Sequence, residues 1–250
     1  MFDVYISLTT IPTRAKILKR CLNSLLNQTY PIKKIILTIP QITLRSQTKQ
    51  DIPPFLTEFP YNQIEIYHPK RDYGPVMKYI GSSNFISSNE RSLVYVCDDD
   101  QQYQPDLVQR LVNKYTLNQG KVITANGKTI LFTPTIYGHA SILLPSKVIK
   151  LITDEVLRSS VRTRKSCQLV DDNWVSSIIK HNQIEIVNMN LGYDKLYINA
   201  KVYNPDDGLS KTTSRWKDIL YCSQEVDKTN YYSFLMIILI IFFLILFNYK

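Results

Sequence analysis

The stretch Ser92-Leu93-Val94-Tyr95-Val96-Cys97-Asp98-Asp99-Asp100 decides the fold. Its uninterrupted apolar residues include valines and a tyrosine, and they predict a strand that is buried on both faces. Strands of this kind belong to sheets whose faces are covered by helices, so we expect an α/β protein. The run ends abruptly in three aspartates. The carboxyl end of a central strand is also where open α/β sheets bind their ligands.

The three aspartates are the first candidate functional residues. Adjacent carboxylates repel one another, so a positive charge has to compensate for them. Mg²⁺ and Mn²⁺ prefer carboxylate oxygens and commonly bind together with phosphates, which predicts a divalent metal site. Asp98 and Asp100 would share one face if the strand continued that far. In the simpler alternative one aspartate caps a helix that begins near Pro105, which accounts for one carboxylate only.

The rest of the chain alternates between strand and helix patterns. Short apolar runs predict strands at residues 3–9, 34–39, 64–67, 121–124, 137–145 and 184–187. Apolar residues at helical spacing predict helices that begin near Pro12, after Gly74, near Pro105 and at Asp171. Residues 41–61 are polar and contain prolines, so we expect a long loop with some irregular helix. This alternation predicts a mostly parallel, doubly wound sheet flanked by helices.

Composition restricts the class of protein. A chain of 250 residues with 44% apolar residues can bury a substantial core, and it need contain only one domain. The net charge is +9, but the lysines and arginines are scattered rather than gathered into a stripe. We therefore expect no nucleic-acid partner. The excess charge fits anionic substrates or an anionic membrane surface.

The four cysteines show no CxxC pairing, which argues against a zinc site. They are Cys21, Cys97, Cys167 and Cys222. Three of them sit in apolar segments. We expect these to be small, unpaired core residues in a reducing compartment.

The C-terminal region carries the most apolar segment of the chain. Residues 234–247 include no polar or charged side chain, and tyrosines flank them as in the aromatic belt of a membrane protein. A helix over residues 231–249 would be about 28 Å long, enough to cross the hydrocarbon core of a bilayer. We predict a transmembrane helix there, preceded by a linker at residues 216–230. The alternative is a buried C-terminal helix, although such a helix normally keeps a polar face.

Four short motifs follow one another along the chain. They are the strand and loop Val4–Arg14, Asp72-Tyr73-Gly74-Pro75 with Lys78, Asp98-Asp99-Asp100 followed by Tyr103 and Pro105, and Asp171-Asp172-Asn173-Trp174. In order, spacing and strand context these motifs resemble those of glycosyltransferases of the GT-A fold, in the broad family-2-like group. The resemblance covers roughly residues 3–210 and implies a Rossmann-like GT-A domain at residues 1–215.

This resemblance implies a nucleotide-sugar donor and a Mn²⁺ or Mg²⁺ cofactor. A metal that bridges the two phosphates stabilises the negative charge of the departing nucleotide. Asp98 and Asp100 are the expected metal ligands, and Asp98 and Asp99 are also expected to contact the donor. The other expected donor-binding residues are Thr9, Arg14, Asp72, Gly74 and Lys78. For Lys78 and Arg14 a solvated surface position is an equal alternative.

Transfer to a hydroxyl acceptor also needs a base that takes the hydroxyl proton. The resemblance puts that role on Asp171 or Asp172. A carboxylate base on the far side of the sugar implies inversion at the anomeric carbon. The alternative is that one of the two aspartates merely caps a helix. Trp174 could stack on a sugar ring, but its helical register with Ile178 favours the core.

Together these features predict a membrane-anchored, metal-dependent glycosyltransferase. The alternatives are a metal-dependent phosphotransferase or nuclease, and a catalytically inactive, membrane-tethered binding protein of the same fold. Four basic residues lie shortly before the apolar span, at positions 211, 215, 217 and 228, and only Lys250 follows it. The positive-inside tendency then predicts a cytosolic catalytic domain with a single-pass C-terminal anchor in the lipid bilayer.

Overall fold

The computed structural model describes residues 1–60, 62–87, 89–130, 133–136, 141–159, 165–198 and Cys222. The strands are β1 (Asp3–Thr9), β2 (Ile32–Thr38), β3 (Ile64–Tyr67), β4 (Ser92–Val96), β5 (Val122–Thr124), β6 (Gly127–Ile130), β7 (Thr133–Ile136), β8 (Ile142–Pro145) and β9 (Ile186–Asn188). The α-helices are α1 (Ala15–Leu26), α2 (Met77–Phe85), α3 (Leu107–Thr116), α4 (Ser146–Ser159), α5 (Lys165–Gln168), α6 (Asp171–His181) and α7 (Tyr193–Leu196). Short 3-10 helices lie at Pro12–Arg14, Pro54–Glu58 and Gly74–Val76.

Seven strands form one sheet in the order β3-β2-β1-β4-β8-β5-β9. β1 is parallel to β2 and β4, β2 is parallel to β3, and β5 is parallel to β9. Only β8 runs antiparallel to its neighbours, β4 and β5. The prediction of a mostly parallel α/β sheet is therefore confirmed. β6 and β7 form a separate two-stranded antiparallel sheet, which the sequence pattern does not predict.

Helices cover both faces of the sheet. Side chains of β4 alternate between two hydrophobic clusters: Leu93 and Tyr95 pack with α1 and α3 on one face, and Val94 and Val96 pack with α2, α4 and α6 on the other. All residues of β4 are buried, because neither face is open to solvent. The apolar run before the aspartates is thus the central, fully buried strand that its composition predicts.

β4 ends at Val96, before the three aspartates, and the chain turns at residues 99 and 100. The alternation that would place Asp98 and Asp100 on one face of a strand therefore does not apply. The backbone of Asp98 is fixed by the Tyr103 hydroxyl, which accepts from the Asp98 N–H at 3.0 Å and donates to the Asp98 carbonyl oxygen at 2.9 Å. A turn held by a buried tyrosine, and not a strand, positions the carboxylates.

The prediction for the cysteines is partly wrong. Cys21 and Cys97 are free and buried, but Cys167 and Cys222 form a disulfide with a Cα–Cα distance of 5.4 Å. The two cysteines are 55 residues apart, so no local sequence spacing predicts the bond. This bond contradicts the expectation of unpaired cysteines for its two members. The compartment of the protein stays a prediction.

Among the described residues no helix is long and apolar enough to span a bilayer. The predicted transmembrane helix at residues 231–249 lies outside the described residues, and so does the linker at residues 216–230 apart from Cys222. The membrane anchor therefore stays a prediction.

Candidate active site

The candidate site lies where the chain leaves the carboxyl ends of β1 and β4. These two strands are parallel neighbours, so the loop after Thr9 and the turn after Val96 lie side by side. The 3-10 helix Pro12–Arg14 brings Arg14 to this edge, and the first turns of α2 and α6 bring Lys78 and Asp171 to it. The sheet edge thus gathers residues that are far apart in sequence.

Asp99 is held inside the protein and joins the two loops. Its Oδ1 lies 2.6 Å from Nη1 of Arg14, and its Oδ2 accepts a hydrogen bond from Oγ1 of Thr10 at 2.5 Å. Burial raises the pKa of Asp99, while the nearby Arg14 and Thr10 act against that shift. Arg14 also lies 3.2 Å from Oδ2 of Asp100, so it is an integral part of the site and not a solvated surface residue.

Lys78 is the most buried charge of the site, with only 2% of its side chain exposed. Its Nζ lies 2.9 Å from Oδ1 of Asp98 and 2.9 Å from Oδ2 of Asp171. Burial lowers the pKa of Lys78, but the carboxylates of Asp171 and Asp98 outweigh burial and raise it well above its ordinary value. One ammonium therefore connects the turn after β4 to the start of α6, and a surface role for Lys78 is excluded.

The charges of the site leave a negative surplus. Among the described residues, the ion pairs of the site join two cations, Arg14 and Lys78, to the four carboxylates of Asp98, Asp99, Asp100 and Asp171. Burial and the charges of Asp98 and Asp99 raise the pKa of Asp100 to about 7, as expected where negative charge is undercompensated. A divalent cation at Asp98 and Asp100 fits this surplus. The described residues include no group of three or more acidic, histidine or cysteine side chains placed to hold a metal, and the metal stays a prediction.

The shifted pKa of Asp100 predicts a pH-dependent cost in stability. Its pKa in the folded protein is above the ordinary value of 3.8, so the folded protein binds this proton more tightly than the unfolded chain does. Stability is therefore lost as the pH rises from about 4 to about 7. With metal chelated, Asp100→Asn is expected to raise the free energy of unfolding at pH 8 by up to a few kcal/mol and to change it little at pH 4. Urea unfolding at both pH values measures this, and equal stability of the two proteins at pH 8 would contradict it.

Asp72 and Gly74 shape the loop that leads into α2. The Asp72 carboxylate accepts hydrogen bonds from the backbone N–H of Gly74 at 2.7 Å and of Leu44 at 2.6 Å. Gly74 has φ +81°, and a Cβ there would lie 2.5 Å from the carbonyl oxygen of Gln168, so this turn requires glycine. Because Gln168 lies just before α6, the turn packs against the segment that carries Asp171. Contact of Asp72 or Gly74 with a donor stays a prediction.

The first turn of α6 contains Asp171 and Asp172. The N-cap position is occupied by Val170, so the alternative in which one aspartate is the N-cap is wrong. Trp174 is 1% exposed and belongs to the hydrophobic core, as its register predicts. Thr9, at the end of β1, donates its hydroxyl to the carbonyl oxygen of Thr38 at 3.0 Å. Its predicted contact with a donor is not tested by this bond.

No family model and no curated protein matches this chain. Solved structures do match it. The mannosyltransferase PcManGT from Pyrobaculum calidifontis, in complex with GDP-Man and Mn²⁺, matches with a TM-score of 0.55 and 12% identity over 83% of this chain and 60% of that one. TarS 1–349 from S. aureus in complex with UDP matches with a TM-score of 0.51 and 11% identity over 75% of this chain and 58% of that one. The fold is GT-A-like.

The GT-A-like chain covers 60% and 58% of the lengths of these two structures. Two residues that support its site were not predicted from sequence to have a role, Thr10 and Tyr103. Thr10 directly follows Thr9, and Tyr103 belongs to the motif that contains the three aspartates. Their positions in these motifs are the sequence feature that could have indicated a role. The hydrogen bond from Thr10 to Asp99 depends on the packing of two loops that only the folded chain brings together. The hydrogen bonds of Tyr103 with Asp98 are local, because the two residues are five positions apart in the same turn.

Proposed function

We propose that the chain is a metal-dependent glycosyltransferase that moves a sugar from a nucleotide-sugar donor to a hydroxyl acceptor with inversion. The observation that carries this proposal is the double contact of Lys78. It brings a candidate metal ligand, Asp98, and a candidate base, Asp171, to a single site. Nucleotide sugars bound to two structures of this fold, GDP-Man in PcManGT and UDP-GlcNAc in TarS, support the choice of donor.

The residues divide into four roles in this proposal. Asp98 and Asp100 hold Mn²⁺ or Mg²⁺, which supplies positive charge for the phosphates of the donor. Arg14 holds Asp99 and Asp100 in place from the neighbouring loop. Asp171 or Asp172 accepts the proton of the acceptor hydroxyl. Thr9, Asp72, Gly74 and the residues around them form the rest of the donor side.

The 250-residue chain, purified in detergent, provides the test. Mn²⁺-stimulated release of nucleotide from a panel of GDP- and UDP-sugars is measured with and without a chelator. We expect release from at least one donor, and we expect the chelator to abolish it. Nucleotide binding without any turnover of the panel or transfer to simple hydroxyl acceptors would favour the inactive binding protein. Cleavage of phosphodiesters instead of glycosidic bonds would favour the phosphotransferase or nuclease.

We also propose that residues 231–249 anchor this enzyme in a bilayer, with the catalytic domain on the cytosolic side. The apolar span and the basic residues before it support the proposal. A glycosylation acceptor added after Lys250 should be modified in a eukaryotic membrane system, whereas the sequon at Asn27 should not. Modification at Asn27 would place the domain on the opposite side, where the disulfide of Cys167 and Cys222 would be stable. Extraction of the chain by alkaline carbonate would exclude the anchor.

A further inference from the structure

The two carboxylates that share Lys78 differ in their access to solvent. The side chain of Asp98 is 32% exposed, whereas that of Asp171 is 10% exposed. Asp98, Lys78 and Asp171 form a triad in which the ammonium lies between two carboxylates. Asp98 is the carboxylate of this triad that an incoming cation can reach. Asp171 is the more buried carboxylate. Its Oδ2 contacts the Lys78 ammonium and has no other hydrogen-bond partner among the described residues.

The backbone of Lys78 is fixed independently of these charges. Its carbonyl oxygen accepts hydrogen bonds from the hydroxyl of Ser7 on β1 and from the hydroxyl of Ser82 on α2 at 3.2 Å. The start of α2 is thus attached to the central sheet. Because the backbone of Lys78 is held and its side chain is buried, the ammonium divides its attraction between the carboxylates of Asp98 and Asp171.

A shared ammonium makes its two partners interdependent. Loss of one carboxylate leaves the full charge of the ammonium to the other, and a buried pair of opposite charges is costly to separate. A metal at Asp98 draws on the same carboxylate that Lys78 holds. When the Lys78 ammonium also attracts the carboxylate of Asp171, it attracts that of Asp98 less strongly. Asp98 is then more available to the metal.

We propose that Lys78 is a positioning residue through which Asp171 sets the metal affinity of Asp98. This inference rests on the proposed function, since it assigns Asp98 to the metal. It adds to that function a thermodynamic link between the donor side of the site and the start of α6. If the ion pair of Lys78 with Asp171 served only to hold α6 in place, replacing Asp171 would not change the affinity for the metal.

The first test compares Mn²⁺ binding to the wild-type chain, Asp171→Asn and Asp106→Asn. Free Mn²⁺ is followed by electron paramagnetic resonance, without nucleotide and with excess GDP or UDP. Asp171→Asn is expected to weaken Mn²⁺ binding on the order of tenfold, because Lys78 then holds Asp98 alone. Asp106→Asn removes the same charge from an exposed pair with Arg110 on α3 and is expected to weaken binding by no more than about twofold. Equal affinities of the two variants would overturn the proposal.

The second test separates the shared ammonium from long-range electrostatics. In a Lys78→Met background Asp171→Asn should no longer weaken Mn²⁺ binding, whereas independent charges would give the same factor in both backgrounds. The double variant buries no unpaired charge at position 171, and circular dichroism establishes that it folds. If the Lys78→Met background does not fold, Asp171→Glu, which restores the charge, should recover most of the lost affinity, and failure to recover it would contradict the link. Absence of Mn²⁺ binding in the wild type would instead refute the proposed function.

Discussion

Replacing Asp98 with asparagine is expected to abolish Mn²⁺-dependent binding of GDP or UDP while the fold stays intact. An asparagine keeps the shape of the side chain but removes an anionic oxygen from the candidate metal ligands. Hard divalent cations depend on such oxygens, and we expect a loss of affinity of at least about 100-fold. Asp100→Asn should act in the same direction. Calorimetric titration with nucleotide in the presence and absence of Mn²⁺ measures both effects.

The structure explains why the fold should survive the Asp98 substitution. Asp98 is the more exposed of the two carboxylates that contact Lys78. When the charge of Asp98 is lost, Lys78 keeps Asp171 as a partner. Asp106→Asn is a matched control, because Asp106 lies close by in sequence but pairs only at the surface with Arg110 on α3. That control should bind nucleotide as the wild type does. Unchanged affinity in both Asp98→Asn and Asp100→Asn, with metal present, would remove the metal assignment.

Local sequence patterns predicted the part of the fold that depends on local hydrophobicity. The apolar run before Asp98 became the central strand because a segment without polar side chains is stable only between two covered faces. Helix α4 was missed even though Val148, Ile149, Ile152 and Val156 form a helical stripe. The sequence pattern predicts a strand at residues 137–145, which ends at Pro145, and no helix after it. The strand does end at Pro145, which is the last residue of β8, but α4 begins at the next residue.

Local sequence patterns did not predict the contacts between the residues of the site. The motifs identified Lys78, Asp98 and Asp171 one by one, but no spacing in the sequence indicates that one ammonium holds both carboxylates. That arrangement depends on the packing of α2 and α6 against the same end of the sheet. The disulfide between Cys167 and Cys222 was missed for the same reason, since it joins segments that are distant in sequence.

Loss of the base is the second large effect that we expect. One of the two aspartates in the first turn of α6 is predicted to accept the proton of the acceptor hydroxyl, and its asparagine variant cannot do so. We expect kcat for transfer to fall by about 100-fold or more in that variant. The measurement uses the donor identified in the release assay, with donor and Mn²⁺ both saturating, so that a weaker metal site does not lower the rate.

The comparison of Asp171→Asn with Asp172→Asn then assigns the base. If Asp171 acts only through Lys78, its variant should recover its rate at saturating Mn²⁺, because the shared ammonium changes metal affinity and not proton transfer. If Asp171 is the base, its rate should stay low at every metal concentration while donor still binds. The aspartate whose variant keeps a low kcat at saturation is the base. Full turnover by both variants would mean that neither residue takes the proton, and that the start of α6 serves only to build the site.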